Sequence, residues 1–176
     1  MSRKLVVPAA LTLLLAGTVV FAAPAKVTVA VTGFHCQACP DSLVKDLAKL
    51  PGVQRVQATL TPARVVATLD EKKMAASRFV QAIATHPQAM DAKKTYDAGL
   101  LLHVDADMCK GEKAMCAACS PEITKRLKAV KGVREVAFDG TGRVVTVRFA
   151  QGAAVTTAQL QRALAASAFK FSVRFA

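Results

Sequence analysis

Apolar residues alternate with polar ones in short runs along this chain, and between those runs they return every third or fourth position. Val27, Val29 and Val31 alternate with smaller or polar residues, the period of a half-buried strand. Leu43, Leu47 and Leu50 then recur at helical spacing. Pro51-Gly52 ends that helix, because proline cannot continue it and glycine suits a left-handed cap. Val53 to Leu60 and Arg64 to Leu69 are β-rich runs around Thr61-Pro62-Ala63, a predicted hairpin. Met74 to His86 predicts a second helix with Phe79, Val80 and Ile83 on one face, stopped by His86-Pro87. A weak strand near Ala89 to Tyr96 closes the pattern.

The pattern then starts again. Leu100, Leu102 and Val104 alternate as an opening strand, and Pro121 to Val130 is the helix. Strands Val133 to Phe138 and Val144 to Phe149 meet at Asp139-Gly140-Thr141-Gly142, a strong turn signal. A helix from Thr156 to Ala166 and a strand from Lys170 to Phe175 finish it. Shifted by 80 positions, Cys36 falls on Cys116, Leu43 on Ile123, Leu47 on Leu127 and Gly52 on Gly132. The register slips by one at Arg64-Val65-Val66 against Arg143-Val144-Val145, then recovers at Val80/Leu160. The sequence therefore predicts an α+β protein of two tandem strand-helix-strand-strand-helix-strand domains, residues 26–97 and 98–176, meeting at Asp97-Ala98-Gly99. Domains this short bury only about 60% of their unfolded surface, so each core is modest.

Residues 1–25 read as a targeting segment and not as part of the fold. Arg3 and Lys4 precede an apolar or small stretch from Leu5 to Ala23, with small-residue cleavage points before Ala23 and before Lys26. This signal peptide predicts a periplasmic or otherwise exported protein.

Net charge is +12 over the whole sequence, and the basic excess is spread over both halves without a run of consecutive Lys or Arg. That argues against nucleic acid as a partner and leaves a solvated basic surface, or attraction to an anionic membrane surface or acidic partner.

The chemistry lies in the cysteines. Cys36-Gln37-Ala38-Cys39 and Cys116-Ala117-Ala118-Cys119 each sit where a strand ends and a helix begins. The second cysteine of each pair is expected in the first helical turn, where free N–H groups and the macrodipole lower a thiol pKa. Two thiolates on one loop form a soft, low-coordination clamp suited to Cu(I) or Hg(II), and more weakly to Zn(II) or Cd(II). Neither copy supplies the four ligands of a structural zinc site. The fifth cysteine, Cys109, lies in a seven-residue insertion before the second pair: Val31 to Cys36 is five residues, Val104 to Cys116 twelve. It is a candidate third thiolate, a disulfide partner of Cys116 or Cys119, or an inert free thiol. Met108 and Met115 flank the same loop as thioether candidates, and His35 adjoins the first pair as a ligand candidate or a solvated loop residue.

The run Gly33-Phe34-His35-Cys36-Gln37-Ala38-Cys39-Pro40 resembles the Gly-Met-x-Cys-x-x-Cys loop of heavy-metal-associated domains. That family includes copper chaperones, extensions of soft-metal P-type ATPases and periplasmic mercury-binding proteins. The resemblance implies a ferredoxin-like βαββαβ fold for each half, with Cys36, Cys39, Cys116 and Cys119 as metal ligands. It also implies handover to a membrane metal transporter or P-type ATPase. Phe34 stands in place of the family's Met, and Ala114-Met115-Cys116 lacks the Gly and carries Met one place late. Phe169 is the expected aromatic beside the second loop, with Ala89 at that place in the first copy.

The competing chemistry is thiol–disulfide exchange on the same pairs, as in a periplasmic oxidoreductase. Against it, neither half has the aromatic-flanked Cys-x-x-Cys of a thioredoxin-like domain, and the chain contains no Trp. No Ser/His/Asp set, buried carboxylate pair or phosphate loop is present, so the expected protein is a carrier and not an enzyme.

Overall fold

A computed structural model of the chain describes residues 24–175; positions 1–23 of the expected signal peptide lie outside the described residues. The first unit comprises β1 (Ala25–Thr32), α1 (Ala38–Leu47), β2 (Val53–Thr59), β3 (Arg64–Leu69) and α2 (Ala76–Ala84). A small hairpin follows, β4 (Pro87–Gln88) and β5 (Asp91–Thr95). The second unit begins with β6 (Asp97–Ala106) and a 3-10 turn (Asp107–Cys109). It continues with α3 (Cys119–Lys128), β7 (Val133–Phe138), β8 (Val144–Phe149), α4 (Thr157–Ala165) and β9 (Phe171–Arg174). The fold is α+β, with two βαββαβ-like units. Among the described residues no helix is long and apolar enough to cross a membrane.

The two units share one antiparallel seven-stranded sheet in the order β2-β3-β1-β6-β8-β7, with β9 also on β6. Residues 97–101 of β6 pair with β1, and residues 103–106 pair with β9. Two expectations are corrected here. The segment expected to close the first unit, Ala89 to Tyr96, pairs instead with Pro87 and Gln88 in the separate hairpin. Its place beside β1 is taken by Asp97–Leu101, so Asp97-Ala98-Gly99 opens a strand and is not a free linker. The physical reason lies in β6 itself. Ala98, Leu100, Leu101, Leu102 and Val104 are all buried, so the strand is apolar on both faces and needs neighbours on both edges.

Alternate residues of the central strands point into one core: Val27, Val29 and Val31 of β1, Val65, Ala67 and Leu69 of β3, Val145 and Val147 of β8. Helices supply the other wall at i, i+4 spacing. In α1 the buried stripe is Cys39, Leu43, Leu47, and in α3 it is Cys119, Ile123, Leu127. The second cysteine of each pair is thus the first rung of its helix's buried face. Truncating a rung such as Leu127 to Ala costs about 2–5 kcal/mol.

The units are also locked through their second helices, reciprocally. Ser77 donates to the Ala153 carbonyl at 2.8 Å and accepts from the Val155 amide at 2.7 Å. Its counterpart 80 positions later, Thr157, donates its hydroxyl to Glu71 at 2.7 Å and its amide to the same carboxylate at 2.8 Å. Each helix therefore begins against the loop that leads into the other.

Candidate metal centre

In the first unit, β1 ends at Thr32 and the chain turns over Gly33, whose φ is +110°. A side chain there would be strained. It would also collide, since a Cβ would lie 2.7 Å from Nε2 of Gln88 and 3.3 Å from the Tyr96 ring. Cys36 is half-buried and Cys39 fully buried, and the Cys39 amide donates to the Cys36 carbonyl at 3.1 Å. Gln37, at the N-cap, makes no side-chain cap. The His35 N–H lowers the Cys39 pKa most; burial opposes it, and the Cys36 N–H and the Tyr96 hydroxyl assist. His35 itself is exposed, and its ring makes no hydrogen bond among the described residues.

Tyr96 is the residue that sequence reasoning missed at this site. It is 3% exposed, and Phe34 meets it edge-on with ring centroids 5.2 Å apart. Its hydroxyl finds no partner at full hydrogen-bond geometry among the described residues and faces the Cys39 thiol. Burial first, and then Cys39, raise its pKa. The aromatic beside the first loop is Tyr96, just past β5, while Ala89 lies in the turn between β4 and β5. The available signal was that Tyr96 is the only tyrosine in the chain.

The second unit gathers more sulfur. The Sγ atoms of Cys109, Cys116 and Cys119 all lie within 4.8 Å of one another. Cys116 to Cys119 is 2.7 Å and Cys109 to Cys119 is 3.7 Å, and all three are free thiols. The sulfur of Met108 lies 3.9 Å from that of Cys116 and 3.8 Å from that of Cys119. Of the two thioether candidates, Met108 and Met115, only the Met108 sulfur makes a contact with these thiols among the described residues. Met115 is half-buried against the core edge, and its amide donates to the Thr141 carbonyl at 2.9 Å. Residue 115 follows the inserted loop, whereas residue 108 lies within the 3-10 turn that brings Cys109 over the start of α3.

The insertion is held by Arg143, the residue before β8. Its guanidinium donates to the carbonyls of Cys109 at 2.9 Å and Glu112 at 2.8 Å, and is paired with Asp105. Asp105 also pairs with Arg174 at 3.0 Å and approaches His103 at 3.5 Å.

Thiol acidities differ between the sites. Cys119 donates to Cys116 and so lowers the Cys116 pKa. Cys119 itself is pushed up to about 12, by burial first and then by the neighbouring Cys116 and Cys109 thiols. Cys39 is lowered by loop N–H groups that precede α1, whereas at Cys119 desolvation and crowding by two other sulfurs raise the value. In each unit one half-exposed sulfur, Cys36 or Cys116, stands in front of a buried one.

The heavy-metal-associated domain model matches residues 113–170. The mercuric transport protein periplasmic component of Shigella flexneri is 37% identical over 76 residues, covering 43% of this chain and 84% of that protein. The protein of the same name from Pseudomonas aeruginosa is 34% identical over 65 residues, 37% of this chain and 71% of that one. The chain belongs to the heavy-metal-associated domain family. Among solved structures, oxidised MerP from Ralstonia metallidurans CH34 is 28% identical, covering 44% of this chain and 97% of its own, at a TM-score of 0.37. The water-soluble region of the P-type ATPase CopA from Bacillus subtilis spans 86% of this chain and 91% of its own, at 21% identity and a TM-score of 0.40. The span matched by the family model begins after Cys109, so this heavy-metal-associated chain carries one clustered thiol outside it.

Proposed function

We infer that the chain is an exported soft-metal carrier that captures Cu(I) or Hg(II) on its Cys-x-x-Cys dithiols and hands the ion to a membrane transporter or P-type ATPase. The observation that carries this reading is the thiol cluster at the start of α3, three sulfurs within 4.8 Å with Cys116 half-exposed. Family membership supports it, as do relatives named as periplasmic components of mercuric transport. Polarisable thiolates favour Cu(I) and Hg(II) over Zn(II) and Cd(II), and they need no redox chemistry to bind. Export rests on the apolar leader. Cleavage before Ala23 leaves Ala25 in β1, where it pairs with Leu69.

The metal is cargo, and the residues divide its handling. Cys36 and Cys116 meet it first because they are reachable; Cys39 and Cys119 hold it from the first helical turn. Each protonated thiol gives up its proton as the metal binds. Release proceeds by thiolate exchange: an acceptor thiolate attacks the two-coordinate ion, a three-coordinate intermediate forms, and a protein thiolate leaves and is reprotonated. The half-exposed cysteine is placed to leave first.

The test is transfer itself. Reduced chain loaded with Cu(I) is mixed with a metal-free Cys-x-x-Cys acceptor domain, and the rate is followed against acceptor concentration. Transfer that rises with acceptor and far outruns release into a chelator of equal affinity supports handover. A rate independent of acceptor means that the ion dissociates first, and overturns it.

A further inference from the structure

The two sites are built differently, and on the metal-binding reading above that difference selects different ions. We propose that Cys109 and Met108 complete the second site as a cage of three thiolates and a thioether. Such a cage takes cations that prefer three or four sulfur ligands, while Cys36 and Cys39 form a two-sulfur site.

The argument is geometric. An ion bound at about 2.3 Å from each sulfur holds tetrahedral ligands about 3.8 Å apart, trigonal ligands about 4.0 Å apart and two linear ligands about 4.6 Å apart. Cys109 to Cys119, Met108 to Cys116 and Met108 to Cys119 lie at 3.7, 3.9 and 3.8 Å. These are the spacings of a three- or four-coordinate centre. Cys116 to Cys119, at 2.7 Å, must widen by about 1 Å to admit the ion, and Cys116 is the half-exposed loop residue.

A buried cysteine in a core needs no role, but Cys109 has more around it than packing. Its sulfur accepts the Cys116 amide at 3.3 Å, which ties it to the second dithiol. Arg143 holds the Cys109 carbonyl and that of Glu112, three residues on. Met108 is 59% exposed, yet its sulfur is turned to two thiols, an orientation that apolar packing does not explain. In the first unit the connection from strand to dithiol is too short for such a loop, and Tyr96 and Phe34 occupy the flank instead.

The experiment uses the full reduced chain with Cys36→Ser and Cys39→Ser, which leaves the second site alone, and Cd(II) as the only metal. X-ray absorption at the cadmium edge counts sulfur neighbours, and chelator competition gives affinity. Three to four sulfurs are expected, falling by one in Cys109→Ser with a tenfold or greater loss of affinity, and by one in Met108→Leu with a smaller loss. The Met108→Leu change is at an exposed position and keeps the test valid should Cys109→Ser disturb the fold. Cadmium held by two sulfurs, unchanged in both variants, overturns the cage while leaving metal carriage intact. No cadmium binding at all overturns the cage together with carriage at this site.

Discussion

Thr28 and Leu101 hold the same place in the two copies, since Val31 corresponds to Val104, and they face each other across β1 and β6. From this pair the ladder runs antiparallel to Thr32 beside Asp97. Antiparallel strands then carry the two cysteine loops to opposite ends of the sheet. Thr32, four residues before Cys36, lies beside Asp97, whereas Cys109 follows the far end of β6. At about 3.3 Å per residue, β6 separates the sites by roughly 30 Å. No single ion bridges them, and no thiolate of one reaches a metal in the other.

Independence follows. Cu(I) affinity at the second site is expected to change by less than about twofold when Cys36 and Cys39 become serine, since distant sites without shared partners behave additively. Chelator competition on the two proteins measures it. A tenfold change would mean that the shared sheet couples the sites.

Thiol reactivity should be ordered in the second unit. Cys116 lies below the ordinary thiol value, so more of it is thiolate near neutral pH. Cys119, at about 12, stays protonated there. Iodoacetamide at pH 7 to 8 should therefore label Cys116 first and Cys119 last, as read by peptide mass mapping. Equal labelling would contradict the assigned proton positions.

Ser77→Ala is expected to destabilise the chain by about 1–3 kcal/mol, because it leaves the Val155 amide and the Ala153 carbonyl short of a buried partner. Thermal melting shows whether the loss is cooperative. A single transition shifted downward matches a shared sheet, whereas two resolved transitions would show the copies melting apart.

Acid should weaken the fold through two carboxylates. Arg148 holds the Asp97 pKa below its ordinary value. At Asp105 burial acts upward, but Arg174, Arg143 and His103 outweigh it and the net shift is down. A depressed carboxylate contributes stability that is fully present above its unfolded pKa of about 3.9 and is lost as pH falls through the folded value. The melting temperature should fall between about pH 4 and lower values, and Asp105→Asn should flatten that fall. An identical acid profile in the variant would remove Asp105 from the account.

Most of the fold was legible because its signals are local. Arg64 to Leu69, Val133 to Phe138 and Val144 to Phe149 are strands at the residues their alternation marked, and Cys39 and Cys119 lie in the first turns of α1 and α3 as expected, with α3 opening two residues before Pro121. What escaped depends on contacts distant in sequence. Leu101 and Ala98 are buried because β1 and β8 flank β6, and no local period reports that. The roles of Met108 and Met115 differ only through the course of the inserted loop. The place of Cys109 beside the second dithiol depends on Arg143, 34 residues away, which holds its carbonyl.

Native mass spectrometry of the reduced full chain, offered Cu(I) and then Hg(II), tests soft-metal binding at the two dithiols most directly. Two ions per chain are expected, one lost in Cys36→Ser/Cys39→Ser and the other in Cys116→Ser/Cys119→Ser. A chain that retains neither ion while its thiols cycle into disulfides would contradict metal carriage, as would a four-serine variant that binds as well as the parent.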